Sequence, residues 1–297
     1  MVRRLLLLVT SALLISGSGA ACGDSAGGPG AFGVVATMSP VGALVQAVAG
    51  GAIDVVILAG PGIDPHEYEL TARDRRAIEQ AKLVFRGGLG IDDFLNQAID
   101  AGSAKVTTLT DGLRPEEGGA PIKDPHVWHN PRYDQYMVAR IGEALATADP
   151  ANGDGYRQRA RDYVTRLAAV DEEVKAILAA IPAENRKLVT NHDGFGYFIE
   201  HYNLTFVGAV IPAQTTQAEP SAKDLRNLVE LIKQEDVKAI FAESSIDPRV
   251  ARQIASDTGV KIIDNLYVDT LGPPGSGAET IDGMLLTNAR TIAEALK

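Results

Sequence analysis

The stretch 154–181 contains no proline, and its apolar residues, among them Tyr156, Ala160, Tyr163, Leu167, Val170, Val174, Ile177 and Ile181, fall largely at i, i+3, i+4, i+7 spacing. That period belongs to one face of a continuous helix. At 1.5 Å per residue such a helix is about 40 Å long, longer than a small domain is wide. Pro182 closes it. The rest of the chain must therefore be arranged before and after a rod, and the flanking sequence agrees.

Before the rod, short β-branched runs alternate with amphipathic segments. The runs at 34–38, 53–58, 83–86 and 105–109 read as strands, and 40–49, 71–81 and 92–101 as helices. Ser39-Pro40 has the form of an N-cap followed by an N1 proline, and Thr71 with Asp74 that of a capping box. The pattern then breaks into a helix at 131–148, ended by Asp149-Pro150, and the long helix follows. After it the alternation resumes, with strands at 188–191, 205–210, 239–242 and 261–265 and helices at 195–202, 221–234, 248–258 and 279–296. Alternation of this kind calls for parallel sheets with helices on both faces. The predicted fold is α/β: an N-terminal lobe over 33–150, a linker helix over 151–182 and a C-terminal lobe over 183–297.

The first residues are of another kind. Arg3 and Arg4 precede an apolar run from Leu5 to Ile15 and a small, polar stretch that ends at Cys22. A charged start, a short apolar core and small residues before a cleavage point predict a secretory signal peptide over 1–21. The apolar run is too short to span a bilayer core of roughly 30 Å. Cys22 is the only cysteine, which excludes an internal disulfide and a thiolate metal cluster. As a bare residue it is a leftover thiol; as Ala20-Ala21-Cys22 it resembles a bacterial lipid-attachment site, although Gly19 stands where an aliphatic residue is usual. The glycine-rich segment 22–32 then reads as a flexible tether between a lipid-modified Cys22 and the folded part. A formal charge of −10, from 28 basic and 38 acidic residues, argues against a nucleic-acid binder, which needs a basic face.

Five histidines remain to be placed: His66, His126, His129, His192 and His201. A single histidine is more often structural than functional. Three of these, however, follow expected strands: His66 in Asp64-Pro65-His66, His126 in Asp124-Pro125-His126 and His192 directly after 188–191. Open α/β sheets place their ligand crevices outside the carboxyl ends of strands. Asp269 occupies the same kind of position after 261–265. Three imidazoles and one carboxylate make a closed four-coordinate set suited to Zn²⁺, whereas Mn²⁺ is better served by more oxygen. His201 lies inside a helical pattern beside Tyr202 and reads as structural. No His-Glu-x-x-His, Gly-x-Ser-x-Gly or Walker motif occurs, and the glycines at 87–90 read as a tight turn.

Several segments, in order along the chain, resemble signatures of the zinc/manganese ABC-transporter solute-binding proteins. They are Asp64-Pro65-His66-Glu67-Tyr68-Glu69, Asp124-Pro125-His126-Val127-Trp128-His129-Asn130-Pro131, Asn191-His192-Asp193-Gly194-Phe195, Glu219-Pro220-Ser221 and Phe241-Ala242-Glu243-Ser244-Ser245. The resemblance implies two α/β lobes joined by a rather rigid helix with a metal between them. His66 and His126 would be ligands from the first lobe, His192 and Asp269 from the second. It resembles the zinc-type branch, since the manganese branch typically has Glu where His192 stands. Glu219 and Glu243 fall on motif positions with no ligand role, and lobe packing or permease docking is expected of them. Two departures stand out. His129 replaces an aliphatic or aromatic residue and is expected to support the ligands or to be an alternate one. The segment 112–123 is short and free of histidine, so capture by a histidine-rich loop is not expected.

The function so implied is an exported lipoprotein, facing the extracytoplasmic side, that captures Zn²⁺ as a monomer and delivers it to an ABC permease. Mn²⁺ as cargo and an adhesin-type lipoprotein of the same family are the alternatives. A secreted zinc hydrolase is disfavoured, since four protein ligands leave no open coordination position. Imidazoles must be neutral to bind metal, so affinity is expected to fall as pH drops through roughly 6.5.

Overall fold

The computed structural model describes residues 33–297 except 118 and 120. The expected signal peptide, Cys22 and the tether lie outside the described residues. Two four-stranded sheets form, every strand pair parallel. In the first lobe β1 (Val34–Met38), β2 (Val55–Ala59), β3 (Leu83–Arg86) and β4 (Lys105–Thr108) take the order β2-β1-β3-β4. In the second, β5 (Lys187–His192), β6 (Thr205–Ile211), β7 (Ala239–Glu243) and β8 (Lys261–Leu266) repeat the plan as β6-β5-β7-β8. Strand order thus reverses beside β1 and β3 in one sheet, and beside β5 and β7 in the other. Crevices open at such switch points, at the carboxyl ends of the strands.

The alternation of side chains along each strand divides the interior. On β1, Val34, Ala36 and Met38 face a large shared core, while Val35 faces a smaller outer one; on β7, Ala239 and Phe241 face the shared core, and Ile240 and Ala242 the other outer one. The outer cores lie under α2 (Ala72–Gln80) and α3 (Asn96–Asp100) in the first lobe, and under α7 (Ala222–Gln234) and α8 (Arg249–Thr258) in the second. The shared core is continuous from the first sheet to the last helix. It takes in α1 (Ser39–Ala49), α4 (Pro131–Ala148), α5 (Gly153–Leu178), α6 (Gly196–His201) and α9 (Ile281–Leu296).

The long helix, α5, is 26 residues, about 39 Å, and packs along α4, α1 and α9. It is shorter than the expected 151–182. A 3-10 turn at Pro150–Asn152 precedes it, and Ala179–Ile181 leave the helix ahead of Pro182, which disfavours helical backbone in the residue before it.

Three local expectations are corrected. Ser39 does not cap α1: Met38 holds the N-cap position without a side-chain bond, and the Ser39 hydroxyl pairs with Thr270 Oγ1 at 3.2 Å and accepts from the Leu271 N–H at 3.2 Å. The expected helix over 92–101 splits into a 3-10 turn at Asp93–Leu95 and the short α3. Asp92 is diverted into the preceding glycine turn, where its carboxylate accepts from Gly87 N, Thr37 Oγ1 and Arg86. The first-lobe strand predicted at 53–58 begins two residues later, as β2. The Thr71–Asp74 capping box forms as expected, and Ser221 with Asp224 makes a second.

One buried charge stands without support. Asp134, on the inner face of α4, is fully buried and neither carboxylate oxygen has a hydrogen-bond partner. Burial pushes its pKa well above the usual carboxylate value. The unfolded chain ionises near the ordinary value and the folded one at higher pH, so between the two the folded state holds the extra proton and stability falls as pH rises. Asp134→Ala is expected to stabilise the protein at pH 8 by about 1–3 kcal/mol, the cost of an unpaired buried polar group. The gain should shrink towards pH 4. Urea unfolding at the two pH values checks both size and sign.

Candidate metal centre

The two switch points bring together residues separated by most of the chain. His66 follows β2 in a 3-10 turn at Pro65–Glu67, where Asp64 caps it by accepting from the His66 N–H at 2.8 Å. His126 immediately precedes a 3-10 turn at Val127–His129. His192 is the last residue of β5, and Asp269 follows β8. One ligand atom from each of these four side chains lies within 4.8 Å of the others. All four sequence-predicted residues therefore meet at one place. His126, His192 and Asp269 are wholly buried, and the His66 side chain is 7% exposed. A cleft of about 540 Å³ opens on His66, lined in part by Glu67, Tyr68, Asp93 and Gln217.

The spacing inside the cluster is informative. His126 Nε2 lies 3.3 Å from His66 Nε2 and 3.2 Å from His192 Nε2. Asp269 adds Oδ1 at 3.1 Å from His126 Nε2, and Oδ2 at 3.4 Å from His192 Nε2 and 3.6 Å from His66 Nε2. A tetrahedral ion with bonds of about 2.0–2.1 Å to nitrogen holds neighbouring donors about 3.3–3.4 Å apart. These distances are close to the edges of such a tetrahedron.

The far sides of two rings explain their aim. His126 Nδ1 donates to Asp124 Oδ1 at 2.6 Å, and His192 Nδ1 to Glu243 Oε1 at 2.6 Å. Each carboxylate also accepts the backbone N–H of its histidine, at 3.0 Å and 3.1 Å. With the proton on Nδ1, each ring presents the Nε2 lone pair to the centre, the arrangement found where a carboxylate orients a metal-bound imidazole.

Charge follows the same geometry. Burial works against ionisation of His126, but Asp269 and Asp124 outweigh it and hold its pKa up at about 10. His192 is likewise raised against burial by Asp269 and Glu243. Burial lowers His66, which has no comparable carboxylate behind its ring. Asp269, although buried, is held below the usual carboxylate range by His192, His126 and His66. Burial pushes Glu243 up, and His192 opposes it. A cation entering the centre therefore displaces protons from the imidazoles.

The remaining candidates fall outside the cluster. His129 is buried with Nε2 3.0 Å from the Val268 carbonyl oxygen, so the expectation of an alternate ligand is not met. His201 lies between Glu116 Oε1 and Asp171 Oδ1, 2.8 Å from each, tying the segment after β4 to α5. Glu219 is exposed ahead of α7. Glu243 is corrected from lobe packing or docking to the His192 contact within its own lobe. Asp124 is the residue that sequence reasoning missed outright. The doubled Asp-Pro-His tripeptide was the available signal, since both copies turn the aspartate back on the histidine N–H. Only Asp124 also reaches the ring; Asp64 Oδ2 instead accepts from Thr216 Oγ1 of the other lobe at 2.7 Å.

Two parallel-sheet lobes, a shared core along one long helix and a buried histidine–carboxylate cluster at the facing switch points define a two-lobed binding protein. The family model described as "Zinc-uptake complex component A periplasmic" matches residues 34–295, and the chain belongs to that family. The manganese ABC transporter substrate-binding lipoprotein PsaA of Streptococcus anginosus is 30% identical over 277 residues, covering 89% of this chain and 88% of the relative. The zinc-binding protein TroA of Treponema pallidum is 32% identical over 274 residues, with 89% and 88% covered. The solved structure of TroA superposes with a TM-score of 0.82 at 32% identity, covering 90% of this chain and 99% of TroA. A manganese-bound periplasmic metal binding protein from Candidatus Liberibacter asiaticus gives 0.78 at 26% identity, with 89% and 99% covered.

Proposed function

We propose that this protein is the extracytoplasmic metal-binding component of an ABC importer, and that its cargo is Zn²⁺, held by His66, His126, His192 and Asp269 and delivered to a membrane permease. The observation that carries the reading is the convergence of three imidazole Nε2 atoms on one carboxylate, with His126 Nε2 3.2–3.3 Å from its two neighbours. Nitrogens at that separation share a proton in the metal-free form, and a metal ion at the centre takes its place. The donor set favours Zn²⁺ over Mn²⁺ because it is nitrogen-rich. Relatives named for manganese and for zinc both support a transition-metal cargo and leave the choice to the donor chemistry. Both Asp269 oxygens face the centre, so a fifth bond is within reach for an ion that seeks more oxygen.

Four protein donors with no free position fit a carrier rather than a hydrolase. The first-lobe pair and the second-lobe pair hold the ion from opposite sides, so its release requires one pair to withdraw. Export by the segment 1–21, a lipid anchor at Cys22 and action as a monomer complete the proposal, consistent with the relatives named lipoproteins. No helix among the described residues is long and apolar enough to cross a membrane.

Metal analysis and competitive titration of chelator-stripped protein, Zn²⁺ against Mn²⁺, test this reading. One tightly bound Zn²⁺ per chain that outcompetes Mn²⁺, and is weakened in His192→Ala, is the expected result. Preference for Mn²⁺ would overturn the donor argument and keep the carrier. Absence of specific binding would overturn the transport reading and favour an adhesin-type lipoprotein.

A further inference from the structure

Asp269 presents an unusual problem of placement. It contributes the only carboxylate of the cluster, yet neither oxygen has a hydrogen-bond partner, and its close polar neighbours are the three imidazoles. Apart from those three rings, its orientation depends on the backbone on either side. On the downstream side, Thr270 Oγ1 accepts from the Gly62 N–H at 2.6 Å and pairs with Ser39 Oγ. On the upstream side, the Val268 carbonyl accepts two N–H donors from the opposite lobe: Trp128 Nε1 at 2.8 Å and His129 Nε2 at 3.0 Å.

We propose that His129 and Trp128 form a two-donor clamp on the Val268 carbonyl that positions Asp269, so that residues which never touch the ion set how tightly the centre holds it. The proposal rests on the metal-carrier reading above. A carbonyl oxygen has two lone pairs, and the two donors use both. The Val268 carbonyl belongs to the peptide plane that leads into Asp269, so fixing that oxygen fixes the tilt of the plane and the direction of the carboxylate. The clamp is dry: Trp128 is 2% exposed, Val268 1% and His129 and Asp269 0%.

The state of His129 is determined by its partner. A carbonyl only accepts, so the proton is on Nε2 and Nδ1 is a bare acceptor, which has no partner. Burial keeps the ring neutral, its pKa pushed down to about 3, so it donates the same bond at any working pH. Its ring packs against Phe195 in a tilted contact with centroids 4.5 Å apart, which restrains the donor. A leucine would fill the space without an orphaned nitrogen, so what the imidazole adds is the Nε2 donor. Trp128 also meets the His126 ring edge-on at 5.4 Å, which links the clamp to a first-lobe ligand as well.

Competitive Zn²⁺ titration of wild type, His129→Leu and His129→Gln, with thermal unfolding of each metal-free form alongside, tests the clamp. His129→Leu removes the donor and keeps the bulk, and is expected to weaken binding by at least about tenfold, as for other groups that orient a ligand. His129→Gln restores an N–H donor and should recover most of that loss. Wild-type affinity in the leucine variant, even with lower thermal stability, overturns the proposal and reduces His129 to packing. A glutamine variant as weak as leucine overturns it too, because the donor would not be the cause. If the leucine variant fails to fold, Trp128→Phe removes the other donor and is expected to show the same loss; unchanged affinity there overturns the clamp. Failure of the wild type itself to bind metal overturns the carrier reading, and the clamp with it.

Discussion

Asp269→Asn is expected to lower metal affinity by more than about a hundredfold, beyond the range typical of groups that merely orient ligands. The substitution keeps shape and volume but removes the only anionic donor of the cluster, at a fully buried position. Three imidazoles would then share a divalent charge with no anion in contact with it, only the carboxylates of Asp124 and Glu243 behind two of the rings. The effect on the metal-free protein runs the other way. Asp269 is the leading charge that raises both His126 and His192, so its loss lowers the tendency of those rings to hold protons. Weak binding in Asp269→Asn therefore reflects a lost ligand and not stronger proton competition. Competition against a chelator of known affinity measures the change. A loss smaller than tenfold would mean that the carboxylate does not touch the ion.

Glu243→Leu is the second large effect, with an expected loss of about 10–100-fold in affinity and Glu243→Gln falling between it and wild type. Glu243 accepts both the Nδ1–H and the backbone N–H of His192 through one oxygen, in a wholly buried setting. Leucine leaves both donors unpartnered, so the ring is free to turn or to move its proton to Nε2, where it blocks the metal. Glutamine retains an acceptor without the charge. Asp124 stands behind His126 in the same relation, but it is only partly buried, and water can replace part of what it does. The Glu243 substitution should therefore cost more than Asp124→Asn, an ordering the same titration reads directly.

Much of this architecture was legible along the chain. Short β-branched runs marked all eight strands and a 3.6-residue period the long helix, because both signals arise from backbone geometry and side-chain sterics within a few residues of each position. The ligand candidates were legible for a related reason. His192 ends β5 and Asp269 closely follows β8, at the carboxyl edge where parallel sheets open a crevice, while His66 and His126 lie on the longer segments that follow β2 and β4. The glycine turn at 87–90 was also local, with Leu89 in left-handed backbone between Gly88 and Gly90.

What the pattern along the chain could not reveal depended on partners far away in it. Ser39 has the appearance of a helix cap, yet bonds Thr270 and Leu271 more than two hundred residues on. Glu243 acquires its role only because β7 lies beside β5, which puts its carboxylate against the ring of His192. His129 donates to Val268 because the shared core presses the first lobe's 3-10 turn against the second lobe's loop. The sequence by itself determined the elements, their alternation around one long helix and the four side chains capable of binding a metal, since short-range sterics and hydrophobic periodicity act on neighbouring residues. Only the tertiary structure decided which carboxylates orient those side chains and what holds Asp269 in place. Hydrogen bonds in a dry interior form between whichever groups packing brings within about 3 Å, however far apart they lie along the chain.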